Sequence, residues 1–186
     1  MVETVQALEA HLTGTISRAP RIAVWAHNSH LGDASATEMG EQGEWNVGQL
    51  MRERYGRDAV LVGFSTHRGT VTAARDWGQP AERRGVRPGL ADSYEALFHE
   101  AGLEHFLLLL RDSDALRTKL DEPRLQRAIG VIYMPESERM SHYFHVQLHR
   151  QFDAMIHIDE TRALEPLERG NGWIEEEAPE TYPSGV

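Results

Sequence analysis

The chain has 186 residues, 40% of them hydrophobic, which is enough for one domain with a core. Its 29 acidic residues outnumber 19 basic ones for a net charge of -10, which argues against nucleic acid or an anionic membrane as partner, since both need a basic face. There is no cysteine, so disulfides, thiolate metal sites and a cysteine nucleophile are excluded.

"MVETVQALEAHL" spaces Val2, Val5, Leu8 and Leu12 as one helical stripe and has no signal-peptide pattern. The longest apolar run, "FLLLL", is far below the roughly 20 residues of a membrane span. The expectation is a soluble, cytoplasmic protein. "TGTISRAP" breaks the helix, and "RIAVWAH" reads as a strand covered on both faces. "LGDASATEMGEQGE" reads as a long functional loop, and "WNVGQLMRERYG" as a helix stopped by Gly56. "DAVLVGFSTHRGTVTAA" predicts two strands joined by a hairpin near Gly69, followed by a Pro- and Gly-rich loop through "DWGQPAERRGVRPGLAD". "SYEALFHEAG" predicts a helix capped by Ser93, and "SDALRTKL" a short helix capped by Ser113 or Asp114. "HFLLLL", "RAIGVIYM", "HYFHVQL" and "FDAMIHID" complete the predicted strands. Helices alternating with buried strands indicate an α/β fold with a mixed, mostly parallel sheet. Residues 1–167 form the expected domain, and the acidic, Gly- and Pro-containing residues 168–186 an expected disordered tail.

The chemistry concentrates in "WAHNSHLGD". His27 and His30 stand where a strand is predicted to end, the end at which open α/β sheets bind ligands. Imidazole moves protons near neutral pH, and a nearby carboxylate orients it. Asn28, Asp33, Glu38 and loop arginines such as Arg68 are the candidates to hold a substrate. His27, His30 and Asp33 are also a conceivable metal-ligand set, and structural histidines are the plain alternative. His142 and His145 point to opposite faces of a strand and cannot share a metal, and His157 reads as a satisfied core histidine. Ser65 has no nucleophile-elbow context, and no glycine-rich phosphate loop occurs.

Six blocks in order, "VWAHNSHLGDASATEMG", "GQLMRERYG", "VLVGFSTHRGTVTAA", "SYEALFHEAGL", "AIGVIYMPESERMSHYFH" and "QFDAMIHIDETRALEPL", resemble the erythromycin esterase family. The resemblance implies a three-layer α/β/α fold and hydrolysis of a macrolactone or other ester without metal or cofactor. It places His27 and His30 in the catalytic cleft. It also implies a Gly-Glu-x-x-His-Gly motif holding the general base. Here "GEQGEW" occurs, and Glu-x-x-His does not. The chain therefore reads as the C-terminal portion of such an enzyme, with a fold incomplete at the N-terminus and weak activity alone. The expected partners are a small ester or lactone, and a missing N-terminal half or a second copy. The other readings are an inactive remnant that binds a partner, and a metal-dependent hydrolase.

Overall fold

Side-chain caps start several of the helices at the positions where the hydrophobic pattern changes period. Thr37 accepts from the Gly40 amide, Asn46 from Gln49, Ser93 from Ala96 and Ser113 from Leu116, each satisfying an amide that the first turn leaves without a partner. The computed structural model describes residues 1–165; the expected tail, 168–186, lies outside them. In chain order the helices are α1 (Val2–Thr15), α2 (Asn28–Leu31), α3 (Glu38–Glu41), α4 (Val47–Tyr55), α5 (Tyr94–His99), α6 (Asp114–Lys119), α7 (Glu138–Ser141) and α8 (Leu148–Gln151). The strands are β1 (Val62–Ser65), β2 (Arg68–Ala73), β3 (Glu82–Val86), β4 (His105–Leu109), β5 (Arg124–Arg127), β6 (Tyr143–Val146), β7 (Ala154–Ile158) and β8 (Glu160–Thr161).

The architecture is α/β, but the strands fall into three small sheets among the described residues. β7 lies between β1, parallel to it, and β4, antiparallel; β2 lies between antiparallel β3 and parallel β8; β5 pairs with β6. One face of the first sheet carries the core. Met155, Leu110 and the partly buried Phe106 and Leu108 pack with Phe98, Tyr94, Phe152 and Leu148. Burying each such large side chain stabilises the fold by about 1.5–3 kcal/mol. The opposite face is apolar and open: Val62 is 37% exposed, Phe64 40%, Leu107 58% and Leu109 63%.

Five sequence expectations change. "RIAVWAH" is not a strand, because its backbone meets no partner strand among the described residues, and Trp25 is 88% exposed. The expected hairpin near Gly69 is absent. β1 and β2 join different sheets, and the antiparallel partner of β2 is β3, which comes from the predicted loop. The chain bends at His67, where the amides of His67 and Arg68 both donate to the Asp159 carbonyl. "HFLLLL" contains a strand, but within it only Phe106 and Leu108 are partly buried, while Leu107 and Leu109 stand on the uncovered face of the sheet. Most of "RAIGVIYM" lies outside any strand; the strand there is the polar β5, just before it, held by the register Arg124↔Val146 to Arg127↔Tyr143. The helical stripe of α1 is present, yet no residue of that helix is buried.

Candidate active site

The residues Trp25 to Asp33 form a pinned turn. The Asn28 amide donates to the Phe64 carbonyl at 2.6 Å and accepts from the Phe64 amide at 3.1 Å. A side chain thus occupies the edge of β1 as a neighbouring strand would. His27 caps α2: its Nδ1 accepts from the Ser29 amide at 3.2 Å and lies 2.8 Å from Ser29 Oγ. Its Nε2 is 2.8 Å from the Ile129 carbonyl. A carbonyl only accepts, so Nε2 carries the hydrogen and Nδ1 is the acceptor. Burial pushes the His27 pKa down, against the hydrogen bond to Ile129, and His30 adds to the depression. His27 is therefore a neutral imidazole with both nitrogens engaged.

His30 stands three residues on, exposed, its ring centroid 6.4 Å from that of His27. Its side chain makes no hydrogen bond within the described residues, and it lies outside the lining of the adjacent groove. Asp33 is 8% exposed and spends one oxygen on the amide and hydroxyl of Ser35, shaping the loop. Glu38 receives the amide and the Nδ1 of His145, both at 3.0 Å, and so ties α3 to β6. The His145 amide bond lowers the Glu38 pKa against burial. Arg68 pairs with Glu160 on the surface at 3.1 Å. The structure brings His27, Asn28 and His30 together and disperses Asp33, Glu38 and Arg68 into separate local contacts. Among the described residues, no cluster of three or more His, Cys, Asp or Glu could hold a metal. None of their helices is long and apolar enough to cross a membrane.

His27 and Asn28 border an open groove of about 1630 Å³ whose floor includes Ser65, Thr66, Glu95 and Arg127. The last two were not legible in the sequence. Arg127, near the end of a polar strand, donates to the carbonyls of Thr66, His67 and Arg87 and to Glu138. Glu95 is 1% exposed; one carboxyl oxygen accepts from the Arg127 amide at 3.1 Å, and the other has no hydrogen-bond partner among the described residues. Burial pushes its pKa up, against the Arg127 charge. The only sequence signal for Glu95 is a carboxylate set among the apolar residues of "SYEALF".

Comparison with known proteins places the chain in a family. The family model "Erythromycin esterase" matches residues 1–161. A Bacillus cereus protein of solved structure is similar at 21% identity and a TM-score of 0.60, over 75% of this chain and 33% of that one. A succinoglycan biosynthesis protein is similar at 25% identity and a TM-score of 0.61, over 75% and 33%. A mutant of the erythromycin esterase EreC in its open conformation is similar at 20% identity and a TM-score of 0.51, over 83% and 35%. The chain spans about a third of the length of these structures. With the family pattern running through nearly every described element, from α1 to β8, the chain belongs to the erythromycin esterase family.

Proposed function

We propose that this chain supplies one wall of an ester- or lactone-hydrolysing site in which His30 moves the proton and His27 is a positioning residue. The observation that carries this reading is the division of labour within the turn. His27 is held at both nitrogens, whereas His30, on the same turn, keeps both nitrogens free of side-chain hydrogen bonds within the described residues. In the reaction, a water oxygen bonds to the acyl carbon while its proton passes to the imidazole. The acyl C–O bond then breaks, and the imidazolium returns the proton to the departing alkoxide. Asn28 keeps the turn against β1. Asp33 and Glu38 hold the loop that follows, and Arg68 is available for an anionic substrate group once released from Glu160. Only imidazole and water take part. A metal-centred version through His27, His30 and Asp33 would first have to break the His27 bonds to Ile129 and Ser29. The likeness to EreC makes erythromycin and other macrolactones the first substrates to test, with macrolide resistance as the biological consequence.

The test is hydrolysis of erythromycin and simple esters, read as a mass gain of one water. It is run on the chain alone and on the chain mixed with an N-terminal segment from an erythromycin esterase family member. Turnover alone is expected to be weak, because His30 is exposed and stands outside the groove, so that substrate and water are not held against it in attack geometry, and to rise in the mixture. His30→Ala is expected to lower the rate by about 10²–10⁴-fold. Full turnover by His30→Ala would sink the assignment. The open face carrying Val62, Phe64, Leu107 and Leu109 favours a second reading, in which the chain is a non-catalytic binding subunit. Absence of turnover in the mixture, together with stable complex formation in sedimentation, would support that reading instead.

A further inference from the structure

We propose that Ser65 is a second, covalent nucleophile of this chain, an acyl acceptor for small carboxylic esters, with His157 as its general base and Asp159 orienting that base. The parallel register of β1 and β7 sets Ser65 opposite His157 at the carboxyl ends of both strands. Ser65 Oγ lies 2.9 Å from His157 Nδ1. His157 Nε2 lies 3.4 Å from Asp159 Oδ1, and His99 Nδ1 lies 2.8 Å from the same oxygen. A nucleophile within hydrogen-bond reach of a base that a third group orients is the signature of an activated hydroxyl.

The protons of this chain of groups follow from its end. Burial works against the Asp159 carboxylate, but the hydrogen bonds from His99 and His157 outweigh it and hold its carboxyl below the usual range. An ionised carboxylate only accepts, so His157 Nε2 carries the hydrogen. His157 Nδ1 is then bare, and the Ser65 hydroxyl is the donor. Burial also keeps the His157 imidazole neutral, against Asp159. Its ring is fully buried and fixed between Phe98 and Phe106, with centroids at 5.4 and 5.1 Å. The base is thus neutral, correctly tautomeric and immobile before any substrate arrives. The two nitrogens exchange roles relative to the serine protease template, where Nε2 faces the serine. Ser65 is half-buried and is one of the residues that line the groove.

The step balances within the protein. The Ser65 Oγ–acyl carbon bond forms as the hydroxyl proton moves to His157 Nδ1. The ester C–O bond breaks, and that proton leaves with the alcohol. A water then repeats the attack through the same nitrogen, releasing the acid and restoring the hydroxyl. None of these atoms belongs to His27 or His30, so this inference does not rest on the reading above.

The folded chain is incubated with p-nitrophenyl acetate at neutral pH, quenched and mapped by peptide mass spectrometry. An acetyl group is expected on Ser65, absent in Ser65→Ala and unchanged in Ser141→Ala, an exposed serine elsewhere. Asp159→Asn keeps the shape but removes the charge that orients the base, and is expected to slow labelling by about 10²–10⁴-fold. Ser65→Cys guards against a misfolded Asp159 variant. Its thiol, paired with His157, is expected to react with iodoacetamide at least about ten-fold faster than free cysteine. An unmodified Ser65 in the folded chain, or an ordinary rate for Ser65→Cys, overturns the proposal.

Discussion

Arg127→Met tests what holds the floor of the groove in place. The guanidinium donates to Glu138 at 2.9 Å, to the Arg87 and Thr66 carbonyls at 2.6 Å each and to the His67 carbonyl at 2.7 Å. The side chains of Arg127 and Glu138 are each 2% exposed. Methionine fills most of the volume but leaves the Glu138 charge buried, with the Tyr133 hydroxyl, at 2.7 Å, as its remaining side-chain donor. Removing one partner of a buried ion pair destabilises by about 3–5 kcal/mol. That is a large part of the roughly 5–15 kcal/mol that holds a domain folded. At this chain length it lowers the melting temperature by roughly 6–20 °C. Urea unfolding followed by far-UV circular dichroism measures the loss. Arg127→Met combined with Glu138→Leu removes both charges and is expected to recover most of the stability, since a buried pair contributes little net once both members are replaced by apolar groups. A single variant within about 1 kcal/mol of the parent, or a double variant less stable than the single, would refute the reasoning.

Acidification is expected to weaken the fold from about the ordinary histidine value downward. His27, His67, His142 and His157 all titrate below 6.5, chiefly because of burial. Below 6.5 the unfolded chain takes up protons that the folded chain refuses, so their stabilisation is complete above that pH and is lost as pH falls toward the folded values. Glu95 acts in the opposite sense: its raised pKa makes its contribution complete at low pH and lost as pH rises through its folded value. A urea midpoint that stays constant from about pH 7.5 to about 5.5 would contradict the histidine argument. Gly69→Ala is expected to destabilise by more than about 1 kcal/mol, measured by the same unfolding assay. Gly69 has φ +121°, and a Cβ there would meet the Thr161 backbone across the β2–β8 pairing. A neutral Gly69→Ala would show that this pairing yields without cost.

Much of the local structure is written in short stretches. Asn46 and Gly56 bound α4, Ser93 caps α5 and Ser113 caps α6, because capping side chains and positive-φ glycines act within a few residues. β4, β6 and β7 follow from their apolar or alternating runs. The α/β class was equally legible, whereas the strand expected to end at His27 is a turn instead. Pairing was not. β3 and β5 read "ERRGV" and "RLQR", which carry no strand signal until β2 and β6 lie beside them. "RIAVWAH" carries the signal and has no such neighbour among the described residues. The roles of the histidines were decided the same way. His27 and His30 look alike in sequence, and only the Ile129 carbonyl, 102 residues away, occupies the second nitrogen of one of them. Ser65 and His157 are 92 residues apart and meet only through the β1–β7 register. Composition and periodicity act along the chain, whereas a hydrogen bond between distant residues depends on which strands become neighbours, and that is settled only when the sheets assemble.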